Sequence, residues 1–309
     1  PINQPMRSGG TLIQTSTFLC QRQSKDDVMK RIENIPDDLQ TLFDFGIQSP
    51  SISNVDKMMS DIRESVLHSI SETTRGPASL RMSNLGKPDR QLWYDIRRGR
   101  PDSGLDYSTR IKFLMGHIME AVLLFLLKEA GHSVEDEQKT LDIDGVIGHQ
   151  DAKIDGVITD VKTTSRFAFQ KFSNAESLAK DDPFGYIGQI SAYAQSQGHS
   201  RAAFLAINKE SGEVAVCTVS HNQMIDARER IRHVKSVLDS DVPPSRCYDP
   251  VPEGASGNIG LPKMCSYCDH RSECWSDANA GRGPRGFRYA NGVKYLLHVA
   301  REPNVPEIT

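Results

Sequence analysis

Residues 148–165 read GHQDAKIDGVITDVKTTS. Apolar and polar residues alternate with period two on either side of Asp155-Gly156, a pair suited to the positive φ angles of a tight two-residue hairpin. The stretch is therefore expected to form two antiparallel strands, with Asp151 before the turn and Asp160 after it, their carboxylates facing each other near the strand ends. Asp160 and Lys162 then share one face of the second strand. Two carboxylates and a lysine make a poor core and a poor random surface. A hard divalent cation, magnesium or manganese, cancels the repulsion between the carboxylates, and the ammonium then faces a phosphate. A routine ion pair on a solvated strand edge is the competing reading for Asp160 and Lys162 taken alone.

Outward from this pair, the spacing of apolar residues predicts a helix over about 109–130 that stops at Gly131, with Ser108 just ahead of it. HSVEDEQKTL (132–141), DGVIGHQDAKI (144–154) and GVITDVKTTS (156–165) read as three strands of a meander. Helical spacing returns over 183–197, RAAFLAIN (201–208) and EVAVCTVS (213–220) make two strands joined at Ser211-Gly212, and a helix follows over about 221–239. Helix, three strands, helix, two strands, helix is the order of an α/β fold with a mixed central sheet flanked by helices. Residues 1–80 are expected to be a helical arm or subdomain, from the spacing in DDVMKRIENI (26–35) and VDKMMSDIRESVLHSI (55–70), and RQLWYDIRR (90–98) is a short amphipathic helix. Residues 81–242 form the main domain, and 243–309, rich in Pro, Gly and Cys, a separate segment closed by a short strand or helix around FRYANGVKYLLHV (287–299).

The whole chain has 309 residues, 38% hydrophobic and 25% charged, enough for a substantial core. Its formal charge of −3 gives no global attraction to nucleic acid, which excludes a histone-like binder and requires any DNA contact to use a local basic groove. AVLLFLL (121–127) is too short to span a bilayer and the N-terminus lacks a signal pattern, so no membrane partner and a cytoplasmic location (host cytoplasm if phage-encoded) are expected. Three of the six cysteines crowd into 265–274, which suggests a metal site in a reducing compartment.

Gly148-His149-Gln150-Asp151 followed by Asp160-Val161-Lys162 resembles the G-x-x-D … (D/E)-x-K core of the PD-(D/E)XK nuclease superfamily. Two more pieces resemble its RecB-like exonuclease branch. In Gly116-His117-Ile118-Met119-Glu120, Glu120 occupies the position of a helix-borne metal ligand. Gln189-Ile190-Ser191-Ala192-Tyr193 resembles the Q-x-x-x-Y helix motif, whose spacing puts Gln189 and Tyr193 on one helix face. The resemblance spans about residues 80–275 and implies a restriction-endonuclease-like core. It also implies magnesium or manganese held by Glu120, Asp151, Asp160 and the Val161 carbonyl, and a catalytic set of Lys162, Asp160, Asp151, Glu120, Gln189 and Tyr193.

Cys265, Cys268 and Cys274 have C-x2-C-x5-C spacing, which wraps thiolates around zinc or an iron-sulfur cluster. The same spacing just after the nuclease core resembles the CRISPR-associated and AddB-type nucleases, where it implies a [4Fe-4S] cluster with one cysteine far upstream. This chain departs from that pattern, with Lys87, Pro88 and Asp89 where the cysteine belongs. Cys247 is the expected fourth ligand, with Cys20 and His270 as alternatives and zinc as the alternative metal; Cys217 reads as a small apolar core residue.

The activity expected is metal-dependent hydrolysis of DNA from its ends, single-stranded DNA being the favoured substrate, in phage or repair-type recombination or degradation. A structure-dependent or restriction-type endonuclease, and a non-catalytic DNA-binding or partner module, are the rivals. A homo-oligomer or a recombination or helicase partner is compatible with the sequence. Arg90, Arg97, Arg98, Arg100, Arg166, Lys171 and the arginines interleaved with Phe287 and Tyr289 are the candidate DNA contacts.

Overall fold

Tight turns with positive φ set the strand plan. Asp155 and Gly156 (φ 49° and 78°) close the expected hairpin, and Asp144 and Gly145 (φ 51° and 75°) close a second one that the alternation alone does not delimit. The computed structural model describes residues 30–47, 49–71, 78–99 and 106–308. Its helices before residue 240 are α1 (Ile35–Phe45), α2 (Ile52–Ser71), α3 (Asp89–Arg97), α4 (Tyr107–Glu129), α5 (Arg166–Phe169), α6 (Ala175–Lys180), α7 (Tyr186–Ser196) and α8 (Ala227–Asp239). The strands around them are β1 (Val134–Glu135), β2 (Thr140–Ile143), β3 (Val146–His149), β4 (Ala152–Ile154), β5 (Val157–Thr164), β6 (Arg201–Asn208) and β7 (Val214–Ser220).

The central sheet runs β1-β4-β5-β6-β7, mixed as expected: β5 is antiparallel to β4 and parallel to β6, which is antiparallel to β7. The parallel β5–β6 pair requires a crossover, and α5, α6 and α7 supply it. The three-strand meander is corrected to five strands, because β2 and β3 form a separate two-stranded sheet outside the central one. Asp106, not Ser108, caps α4 through the Thr109 N–H at 2.9 Å.

Both faces of the sheet are covered. On one, Val157 and Val161 of β5 pack with Ala203 and Leu205 of β6 under Leu123, Leu124 and Leu127 of α4. Ile32, Ile35 and Leu39, from the 1–80 stretch, lie in this same core. The helix expected over 26–35 begins outside the described residues; within them a short 3₁₀ turn (Ile32–Asn34) leads into α1. On the other face Ile158, Phe204 and Ala206 pack with Ile190, Tyr193 and Ala194 of α7 and Ile231 and Val234 of α8. Cys217 lies in this core, 1% exposed, as expected of a small apolar residue.

The start of α7 is fixed by glycine. A Cβ on Gly86 would stand 2.3 Å from the Gly185 carbonyl oxygen, so the turn after Met82–Asn84 and the α7 entry touch backbone to backbone. Beyond residue 250 the chain forms β8 (Val251–Glu253), β9 (Asn258–Gly260), β10 (Arg285–Tyr289), β11 (Gly292–His298) and β12 (Glu307–Ile308). They make an antiparallel sheet in the order β12-β10-β11-β9-β8, where the sequence suggests one terminal strand or helix. Its weak apolar alternation, broken by Pro and Gly, hides it. Among the described residues no helix is long and apolar enough to cross a membrane.

Candidate active site

β4 begins at Ala152, opposite Thr159, so it pairs with β5 only as far as that residue. From Asp160 onward the β4-side edge of β5 is open, and Asp151 folds over it, its Oδ2 accepting the Val161 N–H at 2.7 Å. In an extended residue the N–H and C=O leave on the same side, so the Val161 carbonyl faces this open edge too. Asp160 and Lys162 project from β5 toward α7, as alternation requires. Asp160 is 1% exposed. Its Oδ1 accepts from Gln189 Nε2 at 2.8 Å, and its Oδ2 is ion-paired to Lys162 Nζ. Gln189 Nε2 also reaches Tyr193 Oη at 3.0 Å, and Lys162 Nζ donates to Gln189 Oε1 at 3.5 Å. Gln189 thus joins the lysine, the aspartate and the tyrosine in one network. Gly148 makes room for it, since a Cβ there would fall 2.7 Å from Tyr193 Cε1.

Glu120 comes from α4, one turn after His117. Gln138, from the loop after β1, donates to Glu120 Oε1 at 2.7 Å. Glu120 and Asp151 line a cavity of about 200 Å³ whose opposite wall is α2, through Lys57, Asp61, Glu64 and Ser65. A larger depression of about 320 Å³ beside the Asp155-Gly156 turn, lined by Lys30 and Ser133, holds no such carboxylate set.

One ammonium cannot offset three carboxylates. Burial pushes Glu120 up to about 7, helped by the charge of Asp160 and held back by the Gln138 hydrogen bond. Burial, then Asp160 and Glu120, carry Asp151 well above the usual carboxylate range. Burial raises Asp160 as well, against the pull of Lys162. For Lys162, burial alone would lower the pKa, but Asp160 and Asp151 outweigh it and keep the side chain an ammonium. Oxygen donors whose charges repel, beside a carbonyl on an open strand edge, suit a hard divalent cation in kind. Among the described residues no three His, Cys, Asp or Glu side chains stand at the spacing that encloses an ion.

Glu120, Asp151, Asp160, Val161, Lys162, Gln189 and Tyr193 are thus brought to one place; His117 lines the cavity from an exposed position. The sequence reading misses Asp61 and Glu64, Gln138, and Tyr186, whose ring centroid is 5.1 Å from Lys162 Nζ. Tyr186 has a signal, lying three residues before Gln189 and so on the same helix face. The α2 residues have none, because nothing local says which helix their polar face meets.

Cys247, Cys265, Cys268 and Cys274 converge near the start of α3. Burial raises the Cys265 thiol to about 11, with Cys268, Cys274 and Cys247 adding to it, while Trp275 lowers it. Cys247 and Cys268 are raised by burial and also feel Cys274. The nearby backbone N–H groups of Gln91 and Arg90 pull the Cys247 thiol down against its burial, and Arg90 Nε stands 3.0 Å from Cys274 Sγ. His270 is turned to Asp95, its Nε2 3.0 Å from Oδ1, and Cys20 lies outside the described residues.

Several candidate DNA contacts are engaged elsewhere: Arg97 pairs with Asp241, Lys171 with Asp181, and Arg285 with Glu302 and Glu307. Phe287 is 2% exposed, so its ring has no face open to a base. Arg166 stays exposed, and Arg100 lies outside the described residues.

No protein-family model matches the chain, and no curated protein matches it. Solved structures similar to it include the protein SSO0001, at 14% identity over 68% of this chain and 91% of that one, with a TM-score of 0.40. A phage-related exonuclease from Haemophilus somnus 129PT is 13% identical over 53% of this chain and 92% of its own, with a TM-score of 0.33. An alkaline exonuclease, LHK-Exo, from Laribacter hongkongensis is 11% identical over 50% and 91%, with a TM-score of 0.27.

Proposed function

We propose that this chain is a divalent-metal-dependent DNA exonuclease of the PD-(D/E)XK type that hydrolyses phosphodiester bonds from DNA ends. The observation that carries the reading is the convergence of Glu120, Asp151 and Asp160 with Lys162, in which Gln189 ties Asp160 to Lys162. Glu120, Asp151, Asp160 and the Val161 carbonyl would hold magnesium or manganese, which when bound polarises a phosphate and lowers the pKa of a water ligand. Lys162, held as an ammonium, acts as donor and positive charge toward the developing phosphorane, and orients the attacking water without taking its proton. Gln189 fixes both Asp160 and Lys162, and Tyr193 fixes Gln189. Cleavage from ends, the choice of DNA and a role in recombination or degradation belong to this proposal. The test compares labelled linear single-stranded DNA with covalently closed circular DNA, in manganese or EDTA. Degradation of the linear substrate alone, only with manganese, is expected; cutting of circles would move the reading to an endonuclease, and binding without cleavage to a non-catalytic module.

We also propose that Cys247, Cys265, Cys268 and Cys274 hold a [4Fe-4S] cluster or a zinc ion that pins the C-terminal segment to α3. Cys247 abuts the backbone of Arg90 and Gln91, next to the Lys87-Pro88-Asp89 stretch where the resemblance expects an upstream cysteine, so it supplies from one side what that stretch lacks. Four sulfur donors, two of which (Cys265 and Cys274) pack with Trp275, suit either metal in kind. Protein purified without oxygen should contain iron or zinc at one centre per chain. Cys274→Ser should lose it and melt ~5 °C or more lower, as loss of a few kcal/mol does in a chain of this size, whereas Cys217→Ser should keep it. Equal metal content in wild type and Cys274→Ser would refute the centre.

A further inference from the structure

Aromatic rings run from the core of the protein to its surface beside Lys162. Phe204 and Phe172, both fully buried, stand 5.6 Å apart. Tyr186 lies 5.7 Å from Phe172 and 5.9 Å from Phe204, and its outer side meets two groups. Lys162 Nζ is 5.1 Å from its centroid, and the ring of Phe184 is 5.6 Å away at an interplanar angle of 31°. Phe184 is 54% exposed.

That exposure is not the looseness of a floppy loop. Asp182 receives the N–H groups of Tyr186 and Ile187 at 2.7 and 2.8 Å. Pro183 precedes Phe184, and Gly185 follows it in backbone contact with Gly86. The chain therefore holds a large apolar ring in water on a rigid mount, where burial would otherwise be favourable. One side of the ring rests on Tyr186 and the rest is open. A group with a flat apolar face and an attached anion satisfies both neighbours, the ring and the ammonium.

We propose that Phe184 is a stacking subsite for a nucleobase next to the phosphate held at Lys162, and that it selects unpaired nucleotides. The inference rests on the nuclease reading and sharpens its substrate class to single-stranded or frayed DNA. Inside a duplex each base already has both faces covered by its neighbours, so the ring has nothing to stack on. An unpaired base offers a free face, and such contacts are sequence-tolerant because every base has one.

The test measures binding in EDTA, where cleavage does not intervene, of an oligonucleotide carrying 2-aminopurine at successive positions from each end. Wild type should quench the fluorescence at one position. Phe184→Ala should lose that quenching and bind single strands about 5- to 150-fold more weakly, the range expected for one base–aromatic stack. Affinity for a covalently closed duplex should not change. Phe184→Trp should retain the quenching, and Phe43→Ala, which removes an even more exposed ring on α1, should behave as wild type. An abasic site at the quenched position should weaken wild type and leave Phe184→Ala unaffected. Undiminished binding and quenching by Phe184→Ala, or equal losses on single strands and duplex, would overturn the subsite while leaving the nuclease reading intact. If the wild type binds no DNA either in EDTA or with calcium in place of manganese, the nuclease reading fails and takes this subsite with it.

Discussion

Lys162→Ala is expected to reduce DNA cleavage by on the order of 10²–10³-fold or more in kcat, the loss seen when one preorganised donor facing developing charge is removed. The expectation follows from how the side chain is held. Its Nζ is ion-paired to Asp160, donates to Gln189 Oε1 at 3.5 Å and lies 5.1 Å from the Tyr186 ring centroid, so its position is fixed on three sides. Asp160 and Asp151 outweigh its desolvation, so it remains an ammonium at neutral pH. Lys162→Arg should not restore the rate, because a planar guanidinium cannot replace a compact ammonium between a glutamine and an aromatic ring. The defect should fall on kcat more than on KM, since the proposed interaction strengthens with the charge of the transition state. Activity in Lys162→Ala near that of wild type, with its fold intact by circular dichroism, would remove the proposed site.

The hairpin and the face shared by Asp160 and Lys162 were legible because both are local: a turn pair and a period of two. The same holds for Gln189 and Tyr193, where a four-residue spacing suffices. What the sequence hides is what long-range packing decides. Asp61 and Glu64 are ordinary members of a polar helix face until α2 packs along α4 and turns that face toward Glu120. Gln138 looks like a loop residue until it donates to Glu120 at 2.7 Å. The C-terminal sheet was missed for another reason. Short strands broken by Gly and Pro leave too little alternation to read: in β10 the neighbours Gly286 and Phe287 are both buried, with no period of two to mark either. The cysteine set is local as well, since Cys247 stands 18 residues before Cys265 in the sequence; what the sequence hides there is the packing of the 240s segment on α3.

The carboxylates should also make the metal-free protein less stable as pH rises. Glu120 titrates near 7 when folded against an ordinary value of 4.5, so between those values the folded state binds a proton that the unfolded state has released. Stability from this group is complete below about 4.5, falls as pH rises through the window, and is fully lost above 7. The difference corresponds to a ceiling of about 3 kcal/mol, reduced by the water that reaches a half-buried side chain. Asp151, also raised, acts in the same direction. In EDTA the thermal midpoint of wild type should therefore drop between pH 5 and 7.5 relative to that of Glu120→Gln, which has no proton to release. Comparing the two cancels carboxylates elsewhere that titrate alike in both. Manganese should reverse the trend: it binds the deprotonated carboxylates, so it should raise the wild-type midpoint more at pH 7.5 than at pH 5. At 100 times its dissociation constant it would add about 2.7 kcal/mol. The same ion should shift Glu120→Gln less. Parallel pH profiles for wild type and variant in EDTA, with no manganese shift in either, would mean that these carboxylates neither repel one another nor hold a cation. The strain read from three carboxylates around one ammonium would then be absent, and with it the physical reason for placing a metal there.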